Sequence, residues 1–530
     1  MSPTDQRVRE SHRCADRRGV GLIFAVATGA ALAQLAGCGG RSSTPAPPPP
    51  PPVTTSLPAV RLSTSSPFVV GCDGETPTGT LYMNAEVEPT AAVNPLNPAN
   101  VVAAWQQDRW SDGGAHGIVV AASFDGGRTW ARSTPPLSRC AGGTAANGGD
   151  YARASDPWVA FGTDGSVYLL ALTFSGATFA SASTSGLLVT RSTDGGLSWS
   201  GPLTLISDGS SFANDKVAIG ADRSDPHYVY ATWDRLVSSD AGPSYFARSV
   251  DGGTSWEAAR PIYDPGMHNQ TIGNLPLSLL NGTLLVVFTE FDTTAGGVNA
   301  LLRVIRSTDH GSSWSAPTTI AQEFSVGTRD PTTGEAVRDG GDLPSAAADA
   351  GNTVYVAWQD SRFSAGQHDS IVLARSLDGG LSWSQPAQVS NAAVGAFTPN
   401  VAVRADGEIG VGYYDLRNNI PGSGDLSADY WLATSLDASS WSDIHVSGTF
   451  SLLAAPFAEG LFLGDYQALV TSGSEYLPVF VTSAKDPANR TDVYIAFDAP
   501  TGAASSAALP PPATQESATS LYATRRGARR

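Results

Sequence analysis

Short runs in which apolar and polar residues alternate occupy most of the chain between residues 58 and 500. Runs such as "VVAAWQQDR", "YVYATWDR" and "VYVAWQDSR" are rich in β-branched and aromatic residues, and Gly and Asp turns separate them. This alternation is typical of β-strands, and no segment keeps the 3.6-residue period of a helix for more than about one turn. The pattern therefore predicts an all-β domain.

The strands recur as a unit of four, and the turn after the third strand carries an Asp every 57 to 69 residues. Repeats of four antiparallel strands indicate a β-propeller. The first strands are predicted to start near Glu86, Asp156, Asp215, Asn274, Asp342, Thr398 and Asp465. We predict seven blades, with six blades and a flanking sheet as the alternative. The seventh unit lacks a clear fourth strand, which the segment from Pro58 to Ser66 could supply by closing the ring.

The turn between the third and fourth strands has a fixed pattern, S-x-D-x-G-x-S/T-W. Its Asp residues are Asp125, Asp194, Asp251, Asp309 and Asp378, with a sixth, irregular copy at Asp437. An Asp carboxylate can accept hydrogen bonds from turn amides and from a nearby hydroxyl, while Gly adopts a backbone conformation that is unfavourable for other residues. Because the same Asp recurs in every unit, we predict a structural role for it. The sixth copy, "SLDASSW", is one residue short and has Ser439 in place of Gly, so its turn should differ.

This motif resembles the Asp box of sialidase-like propellers. The resemblance covers nearly the whole folded region and implies a propeller fold. It also implies a site type, because sialidases bind the sugar carboxylate with an Arg cluster and use an Asp acid/base and a Tyr nucleophile activated by Glu. The R-I-P signature that precedes the first box in sialidases is missing here. Catalysis is therefore left open by the resemblance.

The face opposite the Asp boxes collects the long connections, among them "LSRCAGGTAANGGDYARAS" and "AQEFSVGTRDPTTGEAVRDGG". Long loops on a rigid scaffold are common binding sites. By position and by the resemblance, the candidate acid/base is Asp156 or Asp215, and the candidate nucleophile is Tyr413 or Tyr414, activated by Glu290. The candidate carboxylate clamp consists of Arg235, Arg362 and Arg417. Asp342 and Asp465 are further candidate ligand-binding residues. A hydrolase requires the three Arg residues to converge beside a Tyr–Glu pair. A binding or assembly scaffold predicts instead that each Arg pairs with an Asp of its own blade.

The two ends of the chain have different compositions from the middle. Residues 1–37 read as a signal peptide, and the apolar run ends in "LAGC", which resembles the bacterial lipobox and predicts a lipid anchor on Cys38. An ordinary cleaved signal and a short membrane helix are the alternatives. Residues 38–57 are expected to form a Gly/Ser/Pro-rich tether, and residues 501–530 a disordered tail. Gly39 after the Cys favours the outer membrane, by resemblance to Gram-negative sorting, so the expected location is the bacterial cell envelope.

Charge, cysteine content and motifs limit the partners, covalent bonds and cofactors that the chain is expected to have. The formal charge of −17 argues against a nucleic-acid partner. Cys72 and Cys140 remain after the signal and the lipid site, so export predicts a disulfide between them, with two free thiols as the alternative. The seven His residues show no metal spacing, and there is no P-loop, nucleophile elbow or dinucleotide fingerprint, so no cofactor or metal is expected.

The sequence thus predicts a lipid-anchored Asp-box propeller whose long-loop face engages an extracellular glycan or glycoconjugate. Two hypotheses remain for that face. One is glycoside hydrolysis of the exo-sialidase type, and the other is a non-catalytic protein-binding or assembly scaffold.

Overall fold

β-Strands account for nearly all of the regular structure. A computed structural model of the chain describes residues 56–76, 78–237, 241–391 and 393–498, and within them there are thirty β-strands and three short 3₁₀ helices. The helices are Arg139–Ala141, Arg362–Ser364 and Leu452–Ala454. The predicted all-β class is confirmed. None of the described helices has the length and apolar character needed to cross a membrane.

The strands fall into groups of four that follow one another along the chain. Strand β1 is Ala59–Arg61. The first group is β2 (Leu81–Val93), β3 (Val101–Trp110), β4 (Ala115–Ser123) and β5 (Ala131–Ser133). The second is β6 (Arg153–Phe161), β7 (Val167–Ser175), β8 (Thr184–Ser192) and β9 (Leu203–Gly209). The third is β10 (Phe212–Ala221), β11 (Val229–Val237), β12 (Ser244–Ser249) and β13 (Arg260–Tyr263).

The remaining groups repeat this arrangement. The fourth is β14 (Gln270–Ser278), β15 (Leu284–Thr294), β16 (Gly297–Ser307) and β17 (Thr318–Glu323). After β18 (Val337–Arg338), the fifth is β19 (Ser345–Ala348), β20 (Val354–Asp360), β21 (Ser370–Ser376) and β22 (Ala387–Gln388). The sixth is β23 (Ala396–Val403), β24 (Ile409–Asp415), β25 (Ser427–Ser435) and β26 (Ser442–Ser451). After β27 (Leu461–Phe462), the last is β28 (Ala468–Ser472), β29 (Glu475–Asp486) and β30 (Asn489–Ala496).

Within each group the strands pair antiparallel in chain order. The last group obtains its fourth strand from β1, which pairs antiparallel with β30 through Val60 and Ile495. This is the pairing that the sequence predicts for the segment from Pro58 to Ser66. Single residue pairs, Ala85 with Thr491 and Ala115 with Ala154, join the last, first and second groups into one twelve-stranded sheet.

The hydrophobic core lies between neighbouring groups. Each first strand contacts the first strand of the next group, and β28 of the last group contacts β2 of the first. The middle strands carry a buried Trp at a repeated position, Trp105, Trp233 and Trp358, and each indole nitrogen donates to a nearby polar side chain. The repeated aromatic residues therefore belong to the core rather than to a ligand surface.

The Asp turns are closed by their own hydrogen bonds. In the second group, Asp194 accepts from the Leu197 and Ser198 amides at 3.1 and 2.9 Å and from the Ser192 hydroxyl at 2.7 Å. The irregular sixth turn differs, because Ala438 has a φ of 61° and Asp437 accepts from amides that lie one residue earlier in the turn. These carboxylates are occupied by the turn that carries them.

Cys72 and Cys140 form the predicted disulfide, with their Cα atoms 4.9 Å apart. It ties the segment before β2 to the helix Arg139–Ala141. The lipid site at Cys38, the signal and nearly all of the tether, as well as the C-terminal tail, lie outside the described residues.

Candidate functional site

The first strands of the first three groups share a local irregularity. In β2, β6 and β10 the pairing register skips between Val87 and Thr90, between Ser155 and Trp158, and between Asp215 and Ala218. A β-bulge of this kind redirects the side chains beside it. In each strand the residue directly after the last regularly paired one has a left-handed backbone conformation. These residues are Glu88 (φ 54°), Asp156 (φ 47°) and Lys216 (φ 44°). Because these strands are neighbours, the bulges bring three charged side chains together.

These side chains lie at the base of a cleft of about 560 Å³. Its charged residues include Glu88, Arg109, Asp156, Asp215, Lys216 and Arg338. Phe174 and Phe212 also line it. The volume is within the range of small-molecule binding sites, which combine apolar walls with a few convergent polar groups.

Lys216 and Arg338 bind the same carboxylate, Asp465, which follows β27. Lys216 Nζ lies 2.6 Å from Asp465 Oδ2 and 3.6 Å from Asp156 Oδ1. Arg338 holds Asp465 with two contacts, of 2.9 Å from Nε and 2.5 Å from Nη2. Burial disfavours the charged form of Asp465, but the two cations outweigh burial and hold its pKa well below the usual range. Asp465 is therefore a fixed anion at the base of the cleft.

Glu88 has the opposite protonation preference. The pKa of Glu88 is raised to about 8, because burial and then the neighbouring Asp156 and Asp465 raise it by more than Lys216 and Arg109 lower it. Its Oε1 accepts the Asp465 amide at 3.3 Å, and its Oε2 accepts from Gln106. A neutral carboxylic acid therefore faces the cleft at pH 7 beside an ionised carboxylate.

The pKa of Asp215 is raised for a related reason. Burial raises the pKa of its carboxyl, Lys216 lowers it, and Asp156 raises it again. Carboxyl groups whose environments separate their protonation states can divide the roles of acid and base. The cluster of Glu88, Asp156 and Asp215 has the chemistry for proton transfer.

Arg109 brings a further cation to this cluster from β3. Its Nη1 donates to Gln106 Oε1 at 2.8 Å, and its guanidinium lies 4.8 Å from the centroid of the Phe462 ring. Arg338 stacks on the same ring at 4.6 Å. Phe462 thus holds two cations beside the acidic cluster.

The structure brings together three of the residues predicted from the sequence, which are Asp156, Asp215 and Asp465. Asp465 is engaged by Lys216 and Arg338 beneath the cleft rather than presented to it. Asp342 does not line the cleft, and its charge acts on Glu323 instead.

The structure pairs each of the three Arg residues of the predicted clamp with a carboxylate. Arg235 pairs with Asp208 of the preceding group, at 2.5 Å, and stacks on Phe212. Arg362 binds Asp360 at 2.6 Å, two residues before it in the chain. Arg417 binds Asp415 at 2.6 Å and Asp443 at 2.8 Å. The pairs of Arg362 and Arg417 are local to one strand end, whereas that of Arg235 joins two neighbouring groups.

The structure gives the predicted Tyr nucleophile and Glu290 different hydrogen-bond partners. Tyr413 and Tyr414 are fully buried, because successive side chains of a strand packed on both faces all enter the core. Tyr413 donates to Asp443 at 3.1 Å and Tyr414 to the Val481 carbonyl at 2.8 Å. Glu290 accepts instead from Tyr263, at 2.7 Å, and pairs with Arg303.

Glu88, Lys216 and Arg338 were missed by reasoning from the sequence. Lys216 carried a usable signal, because the chain has only two lysines, Lys216 and Lys485. Glu88 precedes Pro89 as Asp156 precedes Pro157, and aligning these dipeptides would have found it. Arg338 lies in a long connection whose path depends on a parallel pairing of β18 with β27.

No protein-family model matches the chain, and no curated protein sequence matches it. Solved structures similar to it include a protein of unknown function from Dyadobacter fermentans, with 14% identity, covering 78% of this chain and 94% of that one, at a TM-score of 0.43. A Trypanosoma rangeli sialidase in complex with sialic acid has 14% identity, covering 81% and 73%, at a TM-score of 0.43. A Penicillium chrysogenum α-L-arabinanase has 12% identity, covering 83% and 98%, at a TM-score of 0.42.

Proposed function

We propose that the chain binds carbohydrate in the cleft above Glu88 and hydrolyses a glycosidic bond there. The observation that carries the proposal is the grouping of three carboxyl groups, Glu88, Asp156 and Asp215, in one cleft, where burial raises the pKa of Glu88. Glycoside hydrolases use two carboxyl groups of different protonation state. Phe174 and Phe212 offer apolar surfaces on which a sugar ring can stack.

In this proposal Glu88 donates a proton to the glycosidic oxygen as the bond breaks. Asp156 acts either as the base that takes a proton from the attacking water or as the nucleophile that attacks the sugar carbon, and its Oδ1 lies 3.6 Å from the Lys216 ammonium. The fixed charge of Asp465 balances Lys216 and Arg338, so that these cations do not force Glu88 to ionise. Arg109 orients the substrate through hydroxyl groups.

The scaffold that we propose is a closed seven-bladed β-propeller. Two observations support closure: β1 completes the last group, and β28 contacts β2 as every other first strand contacts its neighbour. We also propose a lipid anchor at Cys38, a Gly/Ser/Pro-rich tether over residues 38–57 and an outer-membrane location in the cell envelope, on the basis of "LAGC" and the Pro-rich stretch after it. Labelling with a radioactive fatty acid tests the anchor, and Cys38→Ser should abolish the label.

A second candidate function is a non-catalytic binding or assembly scaffold. The observation that favours it is the local pairing of Arg362 with Asp360 and of Arg417 with Asp415, which engages two of the three Arg residues of the predicted clamp. This candidate predicts binding of a glycan or protein without turnover.

The experiment that separates the two is a glycoside panel with product detection. Purified protein is incubated with sialosides, arabinosides and other glycosides, and binding to a glycan array is measured in parallel. Turnover that is lost in Asp156→Asn supports hydrolysis. Array binding without turnover supports the scaffold. If the protein shows neither turnover nor array binding, a carbohydrate function is overturned for the panel tested.

A further inference from the structure

Cys72, His116 and Cys140 are far apart in the sequence but meet beside the first group. Cys72 lies before β2, His116 near the start of β4, and Cys140 in the helix Arg139–Ala141. One potential ligand atom from each lies within 4.8 Å of those of the other two. The intervals between them have no metal-site spacing, so only the fold brings this set together.

His116 is held in the orientation of a metal ligand. Its side chain is fully buried, and its Nδ1 lies 3.0 Å from Asp108 Oδ2. Both oxygens of Asp108 act as acceptors, because Oδ1 accepts the Asn84 amide at 2.8 Å and Oδ2 accepts the Ser66 hydroxyl at 2.5 Å. Nδ1 is therefore assigned as the donor to Asp108, which leaves a lone pair on Nε2.

That Nε2 has no hydrogen-bond partner among the described residues. A buried polar atom without a partner is unfavourable and calls for an explanation. Phe68 and Trp110 pack edge-on against the ring; Phe68 has no polar atom, and Trp110 Nε1 has no hydrogen-bond partner among the described residues either. The unpartnered nitrogen and the two sulfur atoms form one cluster.

The donor set matches a thiophilic ion. Cys thiolates and a His nitrogen are ligands for Zn²⁺, with bond lengths of about 2.3 Å to sulfur and about 2.0 Å to nitrogen. A tetrahedral site of these dimensions separates its ligand atoms by roughly 3.5–4 Å. The three atoms already lie within 4.8 Å of one another, and the two sulfur atoms need only move apart once their bond is broken. A carboxylate that holds the far nitrogen of a ligating His, as Asp108 does, is the usual outer partner of such a site.

We propose that the reduced form of the Cys72–Cys140 pair, together with His116, binds a thiophilic metal ion such as Zn²⁺. An external dithiol breaks the S–S bond, is itself oxidised to a disulfide, and leaves two Cys thiols. Binding of the ion releases the two thiol protons, and the resulting thiolates and His116 Nε2 fill three positions, with water in the fourth. Disulfide and metal are then alternative ways of tying the segment before β2 to the helix Arg139–Ala141.

The two Cys residues are only partly buried, so an ion can reach them from solvent. None of the three ligand residues lines the cleft above Glu88. The inference is therefore independent of the proposed function.

The test uses the full-length chain, oxidised and reduced, with Zn²⁺ as the probe. After dithiol treatment and anaerobic removal of the reductant, native mass spectrometry should show one zinc per reduced chain and none on the oxidised chain. X-ray absorption of the zinc-loaded protein should show two sulfur ligands and one imidazole. No zinc on the reduced chain, or a zinc shell without imidazole, overturns the proposal.

Variants give an independent measure of affinity. Competition with a zinc-binding dye should show that His116→Gln weakens zinc binding by at least about 10-fold. Cys72→Ser/Cys140→Ser should abolish binding. His368→Gln is the matched control, since His368 lies outside the cluster, and its affinity should equal that of the wild type. Equal affinity of wild type and His116→Gln overturns the proposal. If His116→Gln does not fold, the X-ray absorption result on the wild type decides.

Discussion

Lys216 Nζ and Asp465 Oδ2 lie 2.6 Å apart although 249 residues separate them in the sequence. The pair connects the bulge of β10 with the segment after β27. Both side chains are buried, and Asp156 lies 3.6 Å from the same ammonium. The charge balance of the cleft therefore depends on one of the two lysines in the chain.

Lys216→Met should destabilise the protein strongly. Removing one partner of a buried ion pair costs up to about 3–5 kcal/mol. Arg338 still binds Asp465 in the variant, but Asp156 and Asp465 both lose the ammonium beside them. Urea denaturation measures the change in the free energy of unfolding. The matched control is Lys485→Met, because Lys485 is 74% exposed and its bridge to Asp425 should contribute less than about 1 kcal/mol. Equal losses in the two variants would contradict the account.

Glu88 should give the protein a stability that declines with pH. Its folded-state pKa of about 8 exceeds the unfolded value of about 4.3, so the folded state binds more protons between these values. The free energy of unfolding therefore falls as pH rises from about 4.3 to about 8, and Glu88→Gln removes part of that fall. Other buried carboxyls with raised pKa, such as Glu323, maintain the rest. Urea midpoints at pH 6 and pH 9 measure the slope, and an unchanged slope in Glu88→Gln rejects the assignment.

The Asp turns should govern the acid end of the stability profile. The Ser255 and Ser382 hydroxyls and amides hold the pKa of Asp251 and Asp378 at about 2, below the unfolded value of about 3.9. Their contribution is present above pH 4 and is lost as pH falls from about 4 to about 2. Acid unfolding of Asp251→Asn/Asp378→Asn should show a shallower fall of stability over this interval than the wild type. Superimposable profiles would remove the turns as the cause.

Reduction of the disulfide should lower stability by roughly 4 kcal/mol, as expected for a loop of this length. Cys72 and Cys140 are 68 residues apart. Denaturation midpoints of the oxidised protein and of Cys72→Ser/Cys140→Ser, measured with metal chelators present, give the difference. A loss below about 1 kcal/mol would show that the loop is already held by other contacts.

The repeat made the all-β class and the four-strand groups predictable. Alternation, turn residues and the recurring Asp depend only on local sequence, so the repeat pattern alone was enough to assign Asp194 and its equivalents to turns. The disulfide was predictable because only Cys72 and Cys140 remain once the predicted signal and lipid site are set aside. The position of Asp156 and Asp215 at the strand entries was predictable for the same local reason.

The partners of these residues could not be predicted, because they depend on contacts distant in sequence. Arg338 reaches Asp465 only when β18 pairs in parallel with β27. The bulges that aim Glu88 and Lys216 have no strong local signature. Arg417 was misassigned because a cationic residue at a strand end can equally bind a ligand or the Asp two residues before it.

The most direct test of the account compares two buried Glu residues. Burial raises the pKa of both Glu88 and Glu323, but only Glu88 lines the cleft. On a glycoside that the wild type cleaves, Glu88→Gln should lower kcat by about 10²-fold or more, whereas Glu323→Gln should retain the wild-type rate. The wild-type rate should also fall above about pH 8, as Glu88 loses its proton. Full activity in Glu88→Gln, or an equal loss in both variants, would contradict catalysis by this cleft.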